Sequence, residues 1–204
     1  MTKSEYLVSM TTRVPEGTSA GEVDDVRARE AAHSGELAAQ GSLLRLWRPP
    51  LEPGEWRTLG LFAAPNDAEL EEVLESMPLR VWRSDDVTPL MPHANDPDPN
   101  AGTGPRRAEF LTTFVTTVPA GTSVEDEQDR YAQEGVAARR LAAEGQLRRL
   151  WKLPGDRRAL GLWEARDADQ LQEILTSLPL APWMTVETVP LSPHPNDPAY
   201  GPAG

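Results

Sequence analysis

The 204-residue chain contains no cysteine, which excludes a disulfide framework, a thiol nucleophile and thiolate metal sites. Positive charge is also in short supply: 20 Lys and Arg stand against 32 Asp and Glu, a formal net charge of -12. Nucleic acid and acidic membrane surfaces are therefore poor partners, because phosphate binding needs Lys and Arg gathered on one face. Long apolar runs are missing as well. The longest are strand-sized, and the opening MTKSEYLVSM lacks a basic region followed by an apolar one. Neither a membrane span nor an export signal is expected, and the sequence reads as cytoplasmic. Chemistry is left to carboxylates, Arg, Tyr and the three histidines.

What is present is a core and many turns. Hydrophobic residues make up 39% of the chain and include six Trp, while Pro 20 and Gly 15 demand turns, linkers or tails. The length suits two domains of about 100 residues each.

A tandem repeat bears this out within the sequence itself. EYLVSMTTRVPEGTS at 5–19 overlays EFLTTFVTTVPAGTS at 109–123, and AAQGSLLRLWR at 38–48 overlays AAEGQLRRLWK at 142–152. LGLF at 59–62 then meets LGLW at 160–163, three residues having dropped out around Leu51-Glu52-Pro53, where a turn tolerates insertion. The new register holds to the end, where PHANDP at 92–97 matches PHPNDP at 193–198. We expect repeat 1 at 1–97, a Pro- and Gly-rich linker at 98–108, repeat 2 at 109–198 and a tail at 199–204.

Both copies share one order of elements. Alternation at Tyr6, Val8 and Met10, and less cleanly at Phe110, Thr112 and Phe114, reads as an opening strand. Ser19 and Ser123 are placed as N-caps, and Gly41 and Gly145 as helix stops, about 20 residues apart. LLRLW with TLGLF, and LRRLW with ALGLW, form two strands joined by a Gly-containing hairpin turn. A second helix starts from Asn66 or Asp167 and stops at Pro78 or Pro179, before a last strand on which Trp82 and Trp183 are placed. Strand, helix, strand, strand, helix, strand is the ferredoxin-like unit. Each unit covers one sheet face with helices, so a second sheet is expected on the other face. The fold class expected is α+β: two ferredoxin-like βαββαβ repeats whose antiparallel sheets pair as a dimeric α+β barrel within one chain.

One position breaks the apolar stripe of the first helix. In copy one the stripe runs Val23, Val26, position 30, His33 or Ser34, and Leu37, and position 30 is Glu. Copy two places Glu134 before Ala137, Ala138 and Leu141. Such a carboxylate is either desolvated, which raises its pKa toward that of a general base, or neutralised by a cation such as Arg27, Arg45 or Arg149. His93 and His194 stand alone in Pro-rich segments without a second ligand at metal spacing, so no metal site is expected, and they read as anchors for ordered arms. Trp47, Trp151, Trp82 and Trp183 suit core or interface packing, with a pocket for an unsaturated ring as the alternative.

These residues carry a resemblance. AAEGQLRRLWK, SLPLAPWM and VPLSPHP, with the helix before them, resemble the muconolactone delta-isomerase family, here duplicated and fused. The resemblance implies homo-oligomers, no cofactor, and a small-molecule substrate from aromatic catabolism through the β-ketoadipate pathway. In that chemistry a base takes the proton beside the ring oxygen of an unsaturated lactone and returns it two carbons away. Glu30 and Glu134 match the family's helix-one Glu and would be the bases. Arg45, Arg148 and Arg149 would orient a carbonyl or anionic group; Arg27, Tyr131, Trp47, Trp151 and Trp183 complete the expected substrate contacts. Departures occur in both copies. Arg27 and Tyr131 replace a family Lys, Leu44 replaces an Arg, and copy one lacks the Pro and Met kept at Pro182 and Met184. Two alternatives share this fold: a cofactor-free cyclase or oxygenase of aromatic or polyketide compounds, and a non-catalytic binding or scaffold protein.

Overall fold

The computed structural model describes residues 3–97 and 107–200. Most of the expected linker, and the tail beyond Tyr200, lie outside the described residues. Contacts divide the chain into unit 1, residues 1–90 with 192–204, and unit 2, residues 91–191. Compact unit and sequence repeat are thus different partitions: each unit takes its exit arm from the other repeat.

Unit 1 is α+β. Strand β1 (Ser4–Thr12) pairs antiparallel with β3 (Arg57–Ala64) on one side and β4 (Arg83–Pro92) on the other, and β2 (Leu43–Arg48) pairs with β3. The resulting order, β4-β1-β3-β2, is the ferredoxin-like one. Helix α1 (Ala20–Ala39) starts at Ser19, whose hydroxyl accepts the Glu22 N–H at 3.2 Å, and ends before Gly41 at φ 65. Helix α2 (Asp67–Ser76) is capped by Asn66, which accepts the Glu69 N–H at 3.0 Å. Tyr6, Val8, Met10, Leu37, Phe62 and Leu74 pack into one core, as the alternation of β1 implies.

Unit 2 repeats the order with β5 (Ala108–Thr116), α3 (Val124–Ala143), β6 (Leu147–Lys152), β7 (Arg158–Ala165), α4 (Ala168–Ser177) and β8 (Met184–Pro193). Its sheet runs β8-β5-β7-β6. The β2–β3 loop spans 49–56 and the β6–β7 loop 153–157, so the three-residue difference falls where the register change placed it. The weaker alternation of β5 has a cause. Thr112, fully buried, accepts the Trp163 indole N–H at 2.7 Å, whereas Val8 and Phe62 hold those places in unit 1. The indole lies over Gly161, where an added Cβ would come 2.4 Å from its nitrogen, so only glycine fits.

Trp82 and Trp183 are not on strands. They end short 3-10 turns, Pro78–Trp82 and Ala181–Trp183, because Pro near the first position favours a helical turn and removes an N–H a ladder would use. The buried stripe of α1 is Val26, Glu30, Ser34 and Leu37, which selects Ser34 over His33. None of the described helices is long and apolar enough to cross a membrane.

Candidate active site

The exit arms bring the repeated His-x-Asn-Asp motif to the sheets. In unit 1, Pro193 and Ser192 pair with Trp47 and Arg48 of β2; in unit 2, Met91 and Pro92 pair with Lys152 and Trp151 of β6. Each arm is held by one aspartate. Asp197, fully buried, accepts from Arg45 Nε and Nη2 and from the Leu46 N–H at 3.2 Å. Asp96 does the same with Arg149 and with the Leu150 N–H at 2.6 Å. Bidentate Arg–carboxylate pairs with a backbone donor are strong and directional.

Behind each arm lies a cavity, about 170 Å³ in unit 1 and about 420 Å³ in unit 2, and the two are lined by matched positions. Glu30 and Glu134 both line them, as do His194 and His93. Each glutamate projects from its long helix toward the turn after the short one. Glu30 Oε2 accepts the Leu79 N–H at 2.8 Å, and Glu134 Oε2 accepts the Leu180 N–H at 2.9 Å. Amides entering a helical turn have no partner inside it, which is why a carboxylate fits there.

The surroundings of the two carboxylates then diverge. Arg83 Nη1 lies 3.3 Å from Glu30 Oε1, and Arg83 Nη2 donates to Asp85 Oδ2 at 3.0 Å. Arg80 Nη1 donates to the same Asp85 oxygen at 2.6 Å and also pairs with Glu71. In repeat 2 the matched positions are Met184 for Arg83, Val186 for Asp85 and Ala181 for Arg80. Ser34 and Thr58 become Ala138 and Ala159. Among the described residues, no cation pairs with Glu134.

Burial pushes both carboxyls above the ordinary Glu value. For Glu30 the Leu79 N–H, Arg83 and His33 pull back and Asp85 pushes up further. For Glu134 only the Leu180 N–H pulls back. Burial is likewise the largest cause that lowers the pKa of His93, with Lys152 adding to it, and of His194, taken to about 4 with Arg48 adding to it. Nδ1 of His93 accepts the Asn95 N–H and Nδ1 of His194 the Asn196 N–H, both at 3.1 Å. Each neutral ring therefore carries its proton on Nε2.

A pH dependence of stability follows for His194. The unfolded ring binds a proton below about 6.5, the folded one only near 4, so stability falls as pH drops through that window. Urea unfolding between pH 7 and 4 should show the fall, and His194→Gln should reduce it; equal slopes would contradict the assignment.

Of the residues expected at the substrate, Arg27 and Glu30 line the first cavity, Tyr131 and Glu134 the second. The others lie elsewhere. Arg45 and Arg149 bind the arm aspartates, their guanidiniums 4.7 Å from the ring centres of Trp47 and Trp151, which are buried and line neither cavity. Arg148 lies 3.6 Å from Glu164, and Trp183 stacks under Arg130 at 4.6 Å, outside the cavity. Sequence reasoning missed Arg83, Asp85, Lys152 and Arg48 and took the histidines as anchors alone. The available signal was the pairing of Arg83 with Met184 in the repeat overlay.

Similarity to known proteins follows the sequence repeats. The family model for muconolactone delta-isomerase matches residues 4–96 and again 108–197. A muconolactone delta-isomerase of Rhodococcus opacus is 29% identical over 90 residues, covering 44% of this chain and 97% of that protein. One of Cupriavidus pinatubonensis is 33% identical over 88 residues, covering 43% and 92%. Among solved structures, a chlorite dismutase from Candidatus Nitrospira defluvii aligns over 94% of this chain and 92% of its own, with TM-score 0.61 and 12% identity. A heme-binding protein from Thermus thermophilus aligns over 96% and 94%, with TM-score 0.60 and 10% identity. At such identities the likeness shows the fold, of the dimeric α+β barrel class, and nothing of the activity.

Proposed function

Because the chain belongs to the muconolactone delta-isomerase family, matched by the family model in both repeats, we propose that it is an isomerase that moves a proton within an unsaturated lactone bearing a carboxylate, with Glu134 as the base. The observation that carries this reading is the half-buried Glu134 carboxylate, facing a largely apolar cavity with one backbone donor and no described cation beside it.

The chemistry asks for a base of moderate strength in a dry place. Glu134 removes the ring proton beside the ring oxygen; the electron pair becomes a new double bond, the old double bond shifts toward the carbonyl carbon, and charge gathers on the carbonyl oxygen. The same carboxylic acid then delivers the proton to the carbon next to the carbonyl. Burial suits both halves, because a raised pKa makes the carboxylate a better acceptor and the acid a donor near neutral pH. His93 presents an Nε2–H, a neutral donor for the charged oxygen. Lys152 lines the same cavity and gives the substrate carboxylate a cation. Phe114, Leu147 and Trp163 supply apolar wall for the ring.

The base works ionised, so kcat/KM should rise with pH through a pKa above the usual Glu range and flatten beyond it. An acid limb at the ordinary value of 4.5 for a free Glu would contradict a desolvated base. Removing the proposed carboxylate anchor with Lys152→Gln should raise KM about tenfold or more with a smaller change in kcat; steady-state kinetics on muconolactone reads both.

A further inference from the structure

Unit 1 keeps the glutamate, the histidine and the asparagine of the site, as Glu30, His194 and Asn196, but changes what surrounds them. We infer that the unit 1 cavity is a binding site for a small carboxylate that performs no proton transfer, so that the two units divide holding and chemistry between them. The contrast rests on the reading of Glu134 as the base; the binding claim does not.

Three observations carry it. Glu30 faces Arg83 Nη1 at 3.3 Å, and Arg83 is fixed in turn by Asp85 and, through it, Arg80. Arg83 pulls the Glu30 carboxyl back while burial still holds it above the ordinary value, and a carboxylate clamped by a guanidinium must give up that charged contact to take a substrate proton. Met184, Val186 and Ala181 show that repeat 2 has none of this network. Second, with Glu30 and Asp85 set against Arg83 and Arg80, the cavity also carries Arg27 and Arg48, neither with a described carboxylate partner. Both line the cavity together with His194, whose pKa each of them helps to lower. Arg27 is also steadied by Trp56, its guanidinium 5.1 Å from the ring centre. Third, Ser34 and Thr58 put hydroxyl donors on the wall where unit 2 has Ala138 and Ala159, beside a Thr12 that Thr116 matches. Two guanidiniums lining one cavity with hydroxyl donors suit a carboxylate by charge and hydrogen bonding.

The test uses a probe that cannot react, a γ-butyrolactone with a carboxymethyl group and no ring double bond. Calorimetric titration of the full chain should give two equivalents bound in the wild type and in Glu134→Gln, and one in the Arg27→Gln, Arg48→Gln double variant. A single equivalent in the wild type, or two retained in the double variant, would overturn the binding claim. Turnover of muconolactone is measured on the same samples. Glu134→Gln should retain no more than about one hundredth of wild-type turnover while still binding two probes. If it keeps about half, and Glu30→Gln in the same chain removes the rest, unit 1 is catalytic: the inference fails and the carboxylate reading stands. Turnover untouched in Glu30→Gln, Glu134→Gln would instead sink the carboxylate reading and leave the binding result to be judged alone.

Discussion

Glu134→Gln should lower kcat for muconolactone by roughly 10²–10⁴-fold, the range that a positioned general base supplies, and should at the same time raise the melting temperature at neutral pH. The second half separates loss of a base from loss of fold. Gln keeps the side-chain oxygen that accepts the Leu180 N–H and removes a charge that burial disfavours. Because the folded pKa lies above the unfolded one, the wild type is most stable where the acid is protonated in both states. It loses that stability as pH rises from the unfolded pKa through the folded one. Above this window the Gln variant no longer carries the penalty. Kinetics with a thermal melt at pH 7 and again near pH 4 tests both, since the stability gain should shrink at the lower pH. A variant equally active, or inactive only because it is unfolded, would contradict the assignment.

Asp197→Ala should be the most destabilising single change on either arm, at about 3–5 kcal/mol, the cost of removing one partner from a buried ion pair. Its side chain is fully buried and accepts from Arg45 and from the Leu46 and Ala199 N–H groups. Truncation leaves a guanidinium facing an apolar methyl and a buried amide without an acceptor. For a chain of this size that is a fall in melting temperature of roughly 10 °C. Asp197→Ala with Arg45→Met should be less unstable than the two single changes summed, because the second removes the charge the first orphans. Simple additivity would show that the arm is held by something else. The matched Asp96→Ala should cost turnover as well as stability, since the arm it pins carries His93 and Asn95 into the cavity with Glu134.

The fold was legible because its determinants are local and repeated. Period-two alternation at Tyr6, Val8 and Met10, caps at Ser19 and Asn66, and a stop at Gly41 each act over a few residues, and a second copy confirmed the register of each. The helix-one glutamates were legible as interruptions of an apolar stripe. Arg83 was not, because its partner lies 53 positions away and nothing in the spacing joins a strand's first residue to a helix's middle. Arg45 and Arg149 misled for the opposite reason. They carry the motif's charge, but their guanidiniums turn to an aspartate 152 or 53 positions away, a distance that only the exit arms close. Trp82 and Trp183 were placed on strands because aromatic character outweighed the Pro before each, which starts a turn.

Proton NMR of the wild type mixed with muconolactone in deuterium oxide tests the central claim most directly. The account predicts loss of the signal of the ring proton beside the ring oxygen, together with growth of a signal from the carbon next to the carbonyl. Both changes should be absent in Glu134→Gln. Failure of the wild type to convert any unsaturated lactone, or conversion that continues undiminished in Glu30→Gln, Glu134→Gln, would contradict it.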